Sequence, residues 1–79
     1  MLDEALAHLV RGIVDHPDEV VVSERSQRRG RCLDVRVHPE DMGRVIGRAG
    51  RTASALRTVM TALNHGRGLR IDFLDVAER

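Results

Sequence analysis

The sequence predicts an α+β fold in which helices cover one face of a three-stranded sheet. Two kinds of periodicity and one junction predict it. Residues 2–14 place Leu2, Leu6, Leu9, Val10, Ile13 and Val14 on one stripe of a helix. Residues 31–38 and 69–75 instead place apolar side chains at every second position, the pattern of a half-buried strand. Between them, two further helical patterns follow each other with only a glycine-bracketed turn separating them.

Taken in order, the first helix ends before Pro17, which cannot continue it and restricts His16. Its apolar stripe is assigned to the core. Val20, Val21 and Val22 are β-branched and read as a strand. Ser26-Gln27-Arg28-Arg29-Gly30 is a polar hairpin loop. The return strand, residues 31–38, turns Leu33, Val35 and Val37 inward and Cys32, Asp34, Arg36 and His38 to a polar face. Pro39 followed by Glu40 and Asp41 marks a helix start, because proline suits the first helical position and acids suit the positive end of the dipole. Met42, Val45 and Ile46 form the inward face of this short helix, which stops at Gly47. The next helix spans residues 51–64, with Ala53, Leu56, Val59, Met60 and Leu63 inward and Gly66 as its C-terminal cap. Leu69, Ile71 and Phe73 share one face of the last strand.

The order is α-β-β-α-α-β in one domain, residues 1–79. So short a chain buries only about 60% of the surface its unfolded form exposes. No apolar run approaches the roughly 20 residues that span a bilayer. Asp3 and Glu4 stand where a signal peptide would carry cations. Cys32 is the single cysteine, so no internal disulfide forms. These features point to a cytoplasmic protein without a membrane partner.

The net charge of +1 conceals an uneven distribution. Residues 1–24 hold one arginine and six acids, whereas residues 25–57 hold nine arginines and three acids. Such a basic block points to an anionic partner. Every basic residue is arginine, whose planar fork suits phosphate; GC-rich coding explains the preference over lysine better, and we assign it to that cause. Phe73 is the only aromatic residue, which argues against platforms that stack bases on aromatic rings.

The junction reads Val45-Ile46-Gly47-Arg48-Ala49-Gly50-Arg51 and lies within the basic block. Glycine permits φ > 0 and leaves no side chain in the way of an incoming group. Gly50 stands where the following helix opens, so backbone N–H groups and the positive dipole end point outward there. With Arg44, Arg48 and Arg51 beside it, the corner suits a phosphate.

This order, with a Val-Ile-Gly-x-x-Gly turn between adjacent helices, resembles a KH domain of the type II topology, and the resemblance spans essentially the whole chain. The string from Pro39 through Arg51, followed by Ala55-Leu56-Arg57, is most similar to the small stand-alone bacterial KH proteins of the KhpA (YlqC-like) family. The stretch from Leu9 through Val20 is similar to that family too. The resemblance implies a mixed sheet and a non-enzymatic protein that binds single-stranded RNA. A KH glycine loop clamps the backbone of about four nucleotides. By resemblance Gly47, Arg48, Ala49 and Gly50 carry that role, Ile46 and Val45 are candidate groove walls or core, and Arg44 and Arg51 are candidate further phosphate contacts. The resemblance further implies an RNA chaperone or post-transcriptional regulator, pairing with itself or with a larger Jag-type KH protein, linked to cell elongation and envelope homeostasis.

Other features are assigned no site. Gly-x-x-x-x-Gly-Lys is absent, so no nucleotide-hydrolysing P-loop is present. His8, His16, His38 and His65 lack metal-ligand spacing and are placed on the surface, with His65 near a helix C-terminus. Cys32 is expected on the polar side of its strand as a bystander. Arg28, Arg29 and Arg31 form a basic hairpin tip, taken as a solvated loop. No nucleophile–base pair, cofactor site, metal site or small-molecule substrate is expected. The alternative to RNA binding is a KH fold kept for dimerisation or docking on a partner.

Overall fold

A computed structural model describes residues 1–27 and 30–76, with Gln27 described through its backbone alone. The elements are α1 (Leu2–Arg11), β1 (Val21–Gln27), β2 (Gly30–Val37), α2 (Met42–Ile46), α3 (Arg51–Leu63) and β3 (Arg70–Asp75). Their order is the expected one. Arg28 and Arg29 of the basic hairpin tip lie outside the described residues.

The sheet has the order β1-β2-β3, with β2 in the centre. β1 and β2 form an antiparallel hairpin in which Val22 faces Val35 and Glu24 faces Leu33. β2 and β3 are parallel, pairing Leu33 with Ile71 and Val35 with Phe73. A parallel pair needs a long crossover. α2, the glycine turn and α3 supply it, so the turn belongs to the connection between two neighbouring strands.

The core sits between the helices and one sheet face. Leu6 and Val10 of α1, Val20 just before β1, Leu33, Val35 and Val37 of β2, Val45 of α2, Leu56 and Met60 of α3, and Ile71 of β3 are its buried members. Period two on β2 and near 3.6 on the helices bring these residues to one layer.

Several expected details differ. β1 starts at Val21 and continues through Ser23-Glu24-Arg25-Ser26, because ladder pairing with β2 extends a polar strand that propensity alone would not. Residues 39–41 form a separate 3-10 turn ahead of α2. α3 stops at Leu63; His65 takes the left-handed conformation at φ 57°, and the Gly66 N–H closes on the Thr61 carbonyl at 2.9 Å. This is the Schellman arrangement, with histidine where glycine was expected. β3 begins at Arg70 rather than Leu69.

The two long helical stripes are not wholly core. Leu9 and Ile13 are 36% and 37% exposed, and Val59 and Leu63 are 44% and 51% exposed. The stripe expected over residues 2–14 ends with α1 at Arg11, so Ile13 lies past the helix, while Leu9, Val59 and Leu63 stand at the edges of their helical stripes and stay in solvent.

The polar face of β2 departs most from expectation. Cys32 is fully buried and Asp34 nearly so. Arg25, opposite Cys32 on β1, lies across them. Its Nε sits 2.8 Å from Asp34 Oδ2, and its Nη2 donates to Cys32 Sγ at 3.4 Å and lies 3.5 Å from Asp72 Oδ2. A long cationic side chain thus shields the outer face where no helix does.

Candidate nucleic-acid interface

The turn between α2 and α3 is built by three successive backbone requirements. The Gly47 N–H closes α2 on the Gly43 carbonyl at 2.9 Å. Gly47 then takes φ 77° and ψ 170°, a conformation open to glycine but not to residues with a Cβ. A Cβ on Gly47 would also come within 2.8 Å of both the Thr52 backbone nitrogen and Thr52 Cβ, so the first glycine lets the turn pack against the start of α3. Ala49 and Gly50 follow in the left-handed region, at φ 55° and 74°. The Gly50 N–H bonds to the Gly47 carbonyl at 3.1 Å, making a compact corner.

The two glycines therefore do different work. A Cβ on Gly50 would meet nothing within 4 Å. Its side of the corner is open space, which leaves the backbone accessible to another molecule. Gly50 is also the N-cap of the 13-residue α3, and no side chain caps that end. The positive end of the helix dipole is left facing outward.

Arg48, Ala49 and Arg51 are exposed on this corner. Among the described residues, neither Arg48 nor Arg51 has an ion-pair partner. Arg44 differs: its Nη2 lies 3.0 Å from Asp15 Oδ2, so part of its charge is already answered within the chain. Ile46 is half-buried beside the turn, while Val45 is wholly core. Thus Gly47, Arg48, Ala49, Gly50 and Arg51 come together at one corner, with Ile46 at its edge. Arg57, six residues further along α3, lies over the Phe73 ring at 5.7 Å from its centroid.

The start of α2 is anchored by a residue the sequence reading treated only as a helix-start acid. Asp41 is fully buried. Its Oδ1 accepts the Asp15 N–H at 3.1 Å, and its Oδ2 accepts the His16 N–H at 2.9 Å and the His16 ring Nδ1 at 3.0 Å. Burial pushes the Asp41 carboxyl up, but the donors from Asp15 and His16 outweigh it and hold the carboxyl below its ordinary value. His16 and His38 are correspondingly not plain surface residues. They are half-buried and stacked, with ring centroids 3.9 Å apart and planes 12° from parallel. The one available signal was the pair of His-Pro steps at 16–17 and 38–39.

Helix–Gly-x-x-Gly–helix beside a mixed three-stranded sheet is the architecture of a KH domain. Comparison with known proteins agrees. A family model described as the KhpA/KhpB KH domain matches residues 3–73. The chain is 66% identical over 76 residues to the RNA-binding protein KhpA of Streptomyces coelicolor, covering 96% of this chain and 95% of that protein. It is 63% identical over 75 residues to the KhpA protein of Leifsonia xyli, covering 95% and 99%. The KhpA protein of Mycobacterium tuberculosis is 57% identical over 72 residues, covering 91% and 89%. The chain belongs to the KhpA/KhpB KH-domain family. No solved structure matches it. Among the described residues, no helix is long and apolar enough to cross a membrane.

Proposed function

We propose that the protein binds single-stranded RNA through the corner formed by Gly47, Arg48, Ala49 and Gly50, with Arg51 adding charge and Ile46 an apolar contact. The observation that carries this reading is the open backbone at Gly50 beside two arginines without an ion-pair partner among the described residues. A phosphate docked there meets the α3 dipole and guanidinium donors together. Arg44, partly answered by Asp15, contributes less. The relatives' names as RNA-binding proteins support the same partner. Binding of this kind, weak at one site and read mainly from the backbone, suits an RNA chaperone or post-transcriptional regulator of the cytoplasm, without a cofactor and without enzymatic activity.

The double variant Arg48→Asp with Ala49→Asp tests the site. Both side chains are exposed, so the circular dichroism spectrum stays the same while RNA binding is lost. For about three phosphate contacts, log K falls with log salt at a slope near −2, taking ~0.7 per phosphate on a single strand. Undiminished binding by the variant contradicts the assignment.

A second reading, dimerisation, is favoured by the exposed Leu9 and Ile13 on the α1 side and Val59 and Leu63 on α3. Pairing two copies there, or one copy with a Jag-type KH partner, would cover these side chains and place two weak RNA sites on one particle, which raises avidity. A role in cell elongation and envelope homeostasis belongs to the same reading.

A further inference from the structure

We propose that Asp15 sets the affinity of the glycine corner by competing with RNA phosphate for Arg44. The proposal rests on the corner being the RNA site. Asp15 Oδ2 lies 3.0 Å from Arg44 Nη2, and both side chains are more than half exposed. Arg44 stands on α2, three residues before Gly47. At about 1.5 Å of rise per residue it is roughly 4.5 Å down the axis from the first glycine, and residues three apart share a helix face. A strand that leaves the corner along α2 therefore passes this guanidinium.

A second observation shows that the fold fixes this contact. Asp15 lies in the loop after α1, and the buried Asp41 carboxylate holds that loop. It accepts the Asp15 N–H at 3.1 Å and the His16 N–H at 2.9 Å, and it lies 3.0 Å from the His16 ring. Asp41 stands directly before α2, so one buried side chain sets the position of Asp15 against the helix that carries Arg44. An acid on a freely moving loop would yield to an incoming phosphate. Here the backbone stays, and only the short Asp15 side chain can turn away. Among the described residues no acid pairs with Arg48 or Arg51 in this way. The pair also joins the acidic first segment, residues 1–24, to the basic block, residues 25–57.

Electrostatics gives the consequence. Arginine carries five N–H donors, so a carboxylate on one edge leaves others open. A phosphate arriving at the open edge meets the cation and the Asp15 charge together, and repulsion by one offsets attraction by the other. Exposed ion pairs are weak, so phosphate can displace this one. Displacement leaves Asp15 to gather a cation from solution, which cancels part of the counterion release that binding brings. Arg44 thus adds little to the corner while Asp15 is charged and in place. Attachment stays weak and readily reversed, as a chaperone that visits many strands requires. Chain positions 15 and 44 hide the pair from sequence reading, since β1 and β2 lie between them.

The test titrates a fluorescein-labelled, short single-stranded oligoribonucleotide with the full chain and reads anisotropy at several salt concentrations. Asp15→Asn keeps the shape of the side chain and the backbone N–H that Asp41 accepts, so the fold is retained. It is expected to tighten binding about threefold or more and to steepen the slope of log K on log salt by up to ~0.7, the share of one phosphate. Asp18→Asn removes another exposed acid from the same connection and should leave binding within about 1.5-fold. Asp15→Asn with Arg44→Ala should bind like Arg44→Ala alone, because Asp15 acts only through Arg44. The proposal is overturned if Asp15→Asn binds no tighter than the native chain, if Asp18→Asn gains as much, or if the gain survives Arg44→Ala. Arg48→Asp with Ala49→Asp is measured alongside. Loss of binding there, with no gain in Asp15→Asn, rejects the role of Asp15 and keeps the corner. Undiminished binding there rejects the corner and this proposal together.

Discussion

Asp41 Oδ2 holds His16 twice, through the backbone N–H at 2.9 Å and the ring Nδ1 at 3.0 Å, across 25 residues of sequence. This tie fastens the loop leaving α1 to the residue just ahead of α2, the helix that leads into the glycine turn. Its removal leaves two part-buried N–H groups and the His16 ring without their acceptor, a larger penalty than the loss of a surface bond. Asp41→Ala should therefore lower the Tm by several degrees, and more than Glu40→Ala, whose side chain is exposed.

The same carboxylate sets an acid limit. Its folded value is held below the ordinary 3.8, so the unfolded chain takes up the proton first as pH falls. The stability it contributes is fully present above that ordinary value and is lost as pH drops through the lower folded value. Denaturation at successive pH values should show a limb falling below about pH 4 that is shallower in Asp41→Asn.

The two glycines should respond differently to the same change. Gly50→Ala has open space but a left-handed φ, and should cost about 1–2 kcal/mol. Gly47→Ala adds overlap with the Thr52 backbone, and should cost about 3 kcal/mol or more. Urea denaturation of both variants measures the difference. Equal costs would mean that Thr52 does not determine the residue at 47.

Cys32 should be a protected thiol. Burial pushes its titration up and the Asp72 carboxylate adds to this, with Arg25 opposing. Thiolate is the species that reacts, so iodoacetamide should modify the folded protein far more slowly than the urea-unfolded chain. Arg25→Ala uncovers the sulfur and should speed modification, measured by mass spectrometry over time.

The apolar edge side chains give a test of dimerisation. Sedimentation equilibrium should show a dimer, and Val59→Asp with Leu63→Asp should shift it to monomer without loss of helix. A monomeric native chain contradicts that reading.

The fold was largely legible because its cues are local. The stripe of α1, the alternation on β2 and the glycines at 47 and 50 each act through neighbours a few residues away. What was not legible depends on partners distant in the chain. Nothing near Cys32 announces that Arg25, seven residues earlier, folds over it across the hairpin. Nothing near Asp41 announces donors at 15 and 16. The exposure of Val59 and Leu63 depends on how wide a strip of sheet α3 meets, which periodicity does not state. At the corner itself, the glycines and arginines were readable, whereas the separate duties of Gly47 and Gly50 needed the position of Thr52.

The most direct test of the central claim is a nuclear magnetic resonance titration with short single-stranded oligoribonucleotides, following backbone amides. The account predicts that the amides of residues 47–51 shift progressively and saturate, while those of Ser23 and Arg25 on the outer sheet face stay in place. Unmoved amides at residues 47–51, with RNA bound elsewhere or not at all, would contradict it.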